Sequence, residues 1–291
     1  MRAATLPQAC LDTLDGMERA PGRDARFDGI AFIGGGNMAS ALIGGLRRGG
    51  RAPESIVVVE PVPAQRARLA ADFGVQAQEA ADSRLAAAGM VVWAVKPQRF
   101  GEAAAPCAPF VRDALQVSVM AGVRSDAIAQ ASGSPRVVRS MPNTPALIGR
   151  GIAALFARAG VEAAERAAVE ALFAPTGASL WVEREADLDA VTALSGSGPA
   201  YVFLFIEAMV QAGIEMGLEP AQARRLAEHT FAGAAALSMQ SADAPEVLRQ
   251  RVTSPGGTTQ AALDSLQADG VKAAFVRALH AARRRAEELG R

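Results

Sequence analysis

Gly29-Ile30-Ala31-Phe32-Ile33-Gly34-Gly35-Gly36-Asn37-Met38-Ala39 is the stretch that decides the fold. Gly29–Ile33 has no polar side chain for either face, so it reads as a strand buried on both sides. Asn37 to Arg48 carries an apolar stripe at helical spacing and reads as a helix. Between them, Gly34, Gly36 and Ala39 fill the three small positions of G-x-G-x-x-G/A. The first permits a tight turn, the second lets backbone approach a pyrophosphate, and the third lets helix and strand pack closely. The helix start adds free N–H groups and a partial positive charge for the phosphates. Gly34, Gly35, Gly36, Asn37 and Met38 are therefore the expected dinucleotide loop.

Outward from this loop the same rhythm repeats. Ser55–Val59, Met90–Val95 and Leu115–Ala121 read as further buried strands, with Arg136–Ser140 and Ile152–Phe156 as two more. A helix is expected over Pro63–Phe73. Apolar strands alternating with helices predict an α/β fold, a Rossmann-type, doubly wound parallel sheet. The second strand ends at Glu60, the candidate partner for the adenosine ribose hydroxyls; a solvated strand-end carboxylate is the plainer alternative. Its charge would favour NADH, whereas Arg66 and Arg68 one helical turn on could meet the 2′-phosphate of NADPH, so both cofactors stay open.

From residue 187 onward no strand is evident. Asp189–Thr192, Ala200–Met216, Pro220–Gln240, Pro245–Arg251, Thr259–Ala268 and Val271–Leu289 all read as helical. The expected organisation is a polar extension over 1–27, a dinucleotide-binding domain over 28–185 and an all-helical dimerisation and substrate domain over 186–291. So few helices with such large apolar faces need something to pack against, another subunit being the natural candidate.

Composition narrows the partners. The 291 residues hold 30 basic and 30 acidic side chains, a balance that favours neither nucleic acid nor an anionic membrane surface. Cys10 and Cys107 have no metal-ligand spacing, and two cysteines build no disulfide framework, so no metal is expected and both read as free thiols of a reducing cytoplasm. The nearest candidate for a membrane span, Ala200–Leu218, is broken by Glu207 and Glu215. Residues 1–27 mix acids and arginines without an apolar run and do not read as a secretory signal. A cytoplasmic protein is expected.

Four further motifs carry the chemistry. Ala94-Val95-Lys96-Pro97 lies at a strand end, where α/β folds place ligands; Lys96 reads better as the charged end of a strand stopped by proline than as a reactive amine. Arg139-Ser140-Met141-Pro142-Asn143-Thr144-Pro145 is a proline-bracketed loop whose Asn143 and Thr144 are equally ligand candidates or turn residues. Leu194-Ser195-Gly196-Ser197-Gly198-Pro199-Ala200 and Val252-Thr253-Ser254-Pro255-Gly256-Gly257-Thr258-Thr259 are hydroxyl-rich glycine turns, each ahead of a helix. Together they suit a substrate carboxylate.

With these motifs in this order, residues 29 to about 288 resemble the pyrroline-5-carboxylate reductases. The resemblance implies hydride transfer from NADPH or NADH to the C=N bond of a small cyclic imine, 1-pyrroline-5-carboxylate, giving L-proline. It implies that Gly34 to Met38 and Ala94, Val95, Lys96 and Pro97 line the dinucleotide, with Ala121 in the segment bordering the nicotinamide. It implies that Ser254, Gly256, Gly257, Thr258 and Thr259 hold the substrate carboxylate and ring nitrogen, with Glu185 close to the substrate as a second catalytic candidate, a bare surface glutamate being the plainer alternative. A homodimer with interlocked helical domains, even a decamer of dimers, follows by the same resemblance. Thr259 is the expected catalytic partner of the ring nitrogen: its alcohol does not ionise, so it orients and relays a proton. Ala81 and Gly89 depart from the residues usual at their positions. Two rivals remain: a β-hydroxyacid dehydrogenase, which needs a helical lysine where this chain has only the distant Lys272, and a dinucleotide sensor without catalysis, which needs no hydroxyl cradle.

Overall fold

A computed structural model of the protein describes residues 25–290; Cys10 and most of the expected N-terminal extension lie outside them. The chain enters through a short 3-10 turn, Ala25–Phe27, and then builds eight strands and five helices: β1 (Ile30–Ile33), α1 (Asn37–Arg48), β2 (Ile56–Val59), α2 (Pro63–Phe73), β3 (Ala77–Gln78), β4 (Met90–Trp93), α3 (Phe100–Val111), β5 (Leu115–Ser118), α4 (Ser125–Ser132), β6 (Val137–Met141), β7 (Gly151–Ala157), α5 (Ala163–Phe173) and β8 (Gly177–Trp181). The strand order is β3-β2-β1-β4-β5-β6-β7-β8. The chain runs outward from β1 to β3 and returns to place β4 on the other side of β1. That reversal is the switch point at which doubly wound sheets bind ligands.

Both faces of the sheet are covered, as the apolar strands require. Ile30 and Phe32 pack with Leu42, Ile43, Leu69 and Phe173, on the face of α1, α2 and α5. Ala31 and Ile33 point the other way, to Trp93, Phe100, Cys107 and Ile128 on the face of α3 and α4. The Trp93 indole N–H donates to Gln116 Oε1 at 2.9 Å, which satisfies a polar group in the middle of this layer. Burial pushes the Cys107 thiol up to about 11, so it is an inert core residue.

The expectation of an all-parallel sheet needs correcting at one place. β7 runs antiparallel to β6, pairing Arg139 with Phe156 and Met141 with Ala154. Only nine residues, Pro142 to Arg150, join them, built around the 3-10 turn Thr144–Ile148, and a parallel return needs a crossover of a dozen or more residues. The crossover does exist between β7 and β8, where α5 returns the chain to parallel pairing. β4 and β5 also end earlier than expected, at Trp93 and Ser118, which frees Ala94–Pro97 and Met120–Gly122 as turns above the sheet.

The second half is helical throughout the described residues: α6 (Asp187–Val191), α7 (Gly198–Glu215), α8 (Pro220–Gln240), α9 (Pro245–Arg251), α10 (Thr258–Ala268) and α11 (Val271–Leu289). Leu194 to Gly196, the first part of the glycine turn read from sequence over Leu194–Ala200, instead lie in one π-helical turn, Thr192–Gly196, linking α6 to α7. α7 packs on α11 through Phe275, whose ring meets Tyr201 and Phe205 edge-on at 5.7 and 5.6 Å. The opposite faces are bare: Phe203 is 64% and Leu204 61% exposed on α7, and Met239 is 80% exposed on α8.

Candidate active site

The loop after β1 and the turn after β4 meet at the switch point. Gly34 has φ +97°, and a Cβ there would sit 2.7 Å from the carbonyl oxygen of Ala94. Its N–H donates to Val59 O at 2.8 Å, and the Ala94 N–H donates to Ile33 O at 2.8 Å. Glycine is therefore required by both backbone angle and close approach. Gly36 differs: a Cβ there would meet no protein atom within 4 Å. Gly36 and Asn37 are exposed, and no side chain caps the start of α1. Free N–H groups at the helix start thus open onto space beside a residue with no side chain. A pyrophosphate fits that cradle.

Around it lie the other expected residues. Ala94 and Val95 are half-buried, and Lys96 is exposed at the start of the 3-10 turn Pro97–Arg99. Ala121 is half-buried beside Gly122, which has φ +77° and packs against the carbonyl of Leu289 at the end of α11. Asn143 Oδ1 accepts the Ile152 N–H at 3.0 Å, so the side chain is fixed by β7 with its NH2 still available as a donor. The π turn closes on the same strand end, since a Cβ on Gly196 would lie 2.4 Å from the Met141 methyl. Its own backbone is largely satisfied, with the Ser197 N–H donating to Thr192 O at 2.8 Å. It therefore packs against the site rather than presenting a row of free donors to it.

Two glutamates stand differently from their expected roles. Glu60 is 7% exposed, and its carboxylate accepts the Gly35 N–H and the Val62 N–H, both at 2.8 Å. It faces the glycine loop rather than an open ribose pocket. Glu185, expected beside the substrate, accepts the Ser125 N–H at 2.7 Å, the Ser125 hydroxyl at 2.8 Å and Arg139 Nη1 at 2.8 Å. Burial alone would raise its pKa; the two Ser125 hydrogen bonds and Arg139 outweigh burial and hold it below the usual carboxylate range. A carboxylate so engaged is no proton donor. Burial in turn pulls Arg139 below the ordinary arginine value, and its Nε has no partner, but a guanidinium stays charged at neutral pH.

Next to this pair, Arg124 Nη2 donates to the buried Asp189 at 2.9 Å and Arg124 Nε to Gly290 O at 3.3 Å. Arg124 and Ser125, at the start of α4, thus tie the sheet to α6 and α11. None of these joint-forming roles was expected from sequence. The only hint was Arg139, a charge inside a motif that otherwise reads as a buried strand end.

The second glycine turn stands apart from the first. Ser254, Gly256, Thr258 and Thr259 are exposed and Gly257 is half-buried. Gly256 has φ +71° with open space around it, and the Gly257 N–H donates to Ser254 O at 3.0 Å. No side chain caps α10, so the N–H groups of Thr258 and Thr259 begin a helix with no acceptor within it. Hydroxyls and N–H groups together could receive a carboxylate. His229 and His280 lie on α8 and α11, apart from these motifs, and no three metal-ligating side chains cluster among the described residues.

The family model described as pyrroline-5-carboxylate reductase dimerisation matches residues 185–289, and one described as NADP oxidoreductase, coenzyme F420-dependent, matches 29–122. A pyrroline-5-carboxylate reductase of Pseudomonas aeruginosa is 45% identical over 89% of this chain and 96% of its own length. The chain belongs to the pyrroline-5-carboxylate reductase family. The enzyme of Haemophilus influenzae is 39% identical over 89% of this chain and 97% of its own. Among solved structures, a pyrroline-5-carboxylate reductase from Coxiella burnetii superposes with a TM-score of 0.83 at 35% identity, covering 90% of this chain and 98% of that one. One from Plasmodium falciparum with NADP bound gives 0.81 at 28% identity, covering 90% and 98%. The protein is thus an NAD(P)H-dependent pyrroline-5-carboxylate reductase of proline biosynthesis that acts on a small molecule and forms a homo-oligomer. Both rivals fall away.

Proposed function

We propose that each active site of this reductase is built from two chains, which interlock through their helical halves. The dinucleotide lies along Gly34–Met38 and Ala94–Pro97 of one copy, with Ala121 and Asn143 beside the nicotinamide. The substrate carboxylate and ring nitrogen lie on Ser254–Thr259 of the other. The observation that carries this reading is the state of the second glycine turn: its hydroxyls and uncapped N–H groups are exposed, on the half of the chain that the dimerisation family model covers.

Bound in that cradle, NAD(P)H supplies the hydride that adds to the imine carbon. The chain itself need do little acid–base work, because a protonated imine is already an electrophile. Its part is to hold the ring: the Thr258 and Thr259 N–H groups take the carboxylate, and the Thr259 hydroxyl takes the ring nitrogen and passes a proton from water. Fixing donor and acceptor in contact geometry can supply ~7–11 kcal/mol of the barrier. Glu185 takes no part in proton transfer in this scheme, since its oxygens are held by Ser125 and Arg139. A decamer of dimers and a cytoplasmic location belong to the same proposal, the location being consistent with the bacterial relatives.

Complementation tests it. Gly36→Val fills the pyrophosphate cradle, and Thr259→Ala removes the substrate hydroxyl. Each variant alone should turn over poorly. Mixed in equal amounts and allowed to exchange chains, they should recover on the order of a quarter of wild-type activity, because half the pairs are mixed and each mixed pair keeps one intact site of two. Mixtures no more active than the separate variants would mean that both halves of a site come from one chain.

A further inference from the structure

The strand-end acid of a dinucleotide fold is ordinarily read as the group that grips the adenosine ribose and, by its charge, sets the choice between NADH and NADPH. Glu60 occupies that position, yet its surroundings fit another task. The carboxylate is turned inward, 7% exposed, with Oε2 on the Gly35 N–H and Oε1 on the Val62 N–H, each 2.8 Å away. A Cβ added to Gly35 would lie 3.3 Å from Glu60 Oε2 and 2.7 Å from Leu69, so the acid closes over the loop without a gap. On its other side the Gly35 carbonyl accepts the Gln65 amide and, at 3.4 Å, the Ser40 hydroxyl. The middle residue of the turn is therefore held by its N–H and by its C=O, and neither is offered to a ligand.

Among the described residues, no cation pairs with the Glu60 carboxylate. The nearest candidate, Arg66, donates instead to the backbone carbonyls of Glu60 and Pro61, at 2.9 and 2.8 Å, and Arg68 pairs with Asp72 at 3.3 Å. The negative charge is met by two backbone N–H groups and by the starts of α1 and α2, where helix dipoles favour an anion. Such an arrangement fixes a peptide plane. It leaves little carboxylate surface from which to repel a 2′-phosphate.

We propose that Glu60 is a positioning residue that braces the glycine turn, orienting Gly36 and the first N–H groups of α1, and that it does not select between NADH and NADPH by its charge. The proposal uses the established dinucleotide chemistry and is independent of how substrate sites are shared between chains. A brace serves the pyrophosphate, which the two cofactors have in common, so both must suffer alike when it is weakened.

The test is Glu60→Gln, read two ways. In apoenzyme, hydrogen–deuterium exchange of the amides of residues 34–38 should quicken about tenfold, the scale of one lost hydrogen bond to a charged group. In fluorescence titrations with NADH and with NADPH, both dissociation constants should rise about tenfold, their ratio should stay within about twofold, and kcat at saturating cofactor should fall much less than KM rises. A ratio shifted about tenfold or more toward NADPH, with amide exchange unchanged, would overturn the proposal and return Glu60 to the ribose. Should the Gln variant not fold, Glu60→Asp takes its place: it keeps the charge but is too short to reach both N–H groups. Equal weakening of both cofactors supports the brace, and undiminished NADH binding with normal exchange overturns it.

Discussion

Three donors converge on the carboxylate of Glu185, and the acid in turn supplies the countercharge for Arg139, whose side chain is 4% exposed. Removing that countercharge would leave a buried guanidinium already short of one partner, so Glu185→Gln should cost about 3 kcal/mol at neutral pH. The pH dependence follows from the lowered pKa. The stabilisation is complete above the unfolded value of 4.5 and is lost as the pH falls through the lower folded value. Melting curves of wild type and variant should therefore lie far apart at pH 7 and converge below about pH 4.5. A gap that stayed constant down to pH 3.5 would mean that the ionised carboxylate contributes nothing. Glu185 and Glu60 were both legible in the sequence as acids near a site. What was not legible was the direction in which they face, because their partners lie 60 and 25 residues away along the chain. Chain separation hides a hydrogen bond from any local pattern.

Elements were legible wherever local chemistry marks their ends. α2, α8 and α9 each begin with a proline in the first turn, and α2 stops at Gly74 in a left-handed conformation. Those limits agree with the sequence reading to the residue. β3 and β8 were not anticipated: β3 has two residues, and β8 is an edge strand whose Ala178, Ser179 and Leu180 are exposed, so neither leaves an apolar run. The π turn was equally silent, since Ser, Gly and Pro mark a break in a helix without saying that it continues. Gly89, noted as a departure from its relatives, has an explanation at this scale. A Cβ there would fall 1.6 Å from the carbonyl oxygen of Arg26, so the entering turn Ala25–Phe27 rests directly on it. Gly89→Ala should lift that turn and expose Phe27, now 6% exposed, at a cost of about 2 kcal/mol. Chemical denaturation would measure the loss, and faster tryptic cleavage after Arg26 would locate it.

At the scale of the whole molecule, the helical half leaves Phe203, Leu204 and Met239 in solvent. By length and composition alone the helix running from Asp187 to Glu215 is apolar enough to cross a membrane. The dimerisation family model matches residues 185–289, which include this helix, and its bare apolar face is open to a second copy. Phe203→Asp should leave the fold of a single chain intact, as changes at exposed sites mostly do. It should weaken association about 30-fold or more if the ring is one of the anchors of the interface. Sedimentation should then show monomers, and activity should fall in parallel. An unchanged assembly would place the contact elsewhere on the helices. The sequence suggested this surface through helices too few to cover one another, but the partner's position needs a second chain. On the proposed two-chain site, the open turn at Ser254–Thr259 would make catalyst and chain count different quantities. With each site assembled from two chains, the number of working sites at low expression rises as the square of the chain concentration. A cell that halves its supply of this protein would then lose more than half of its proline-forming capacity.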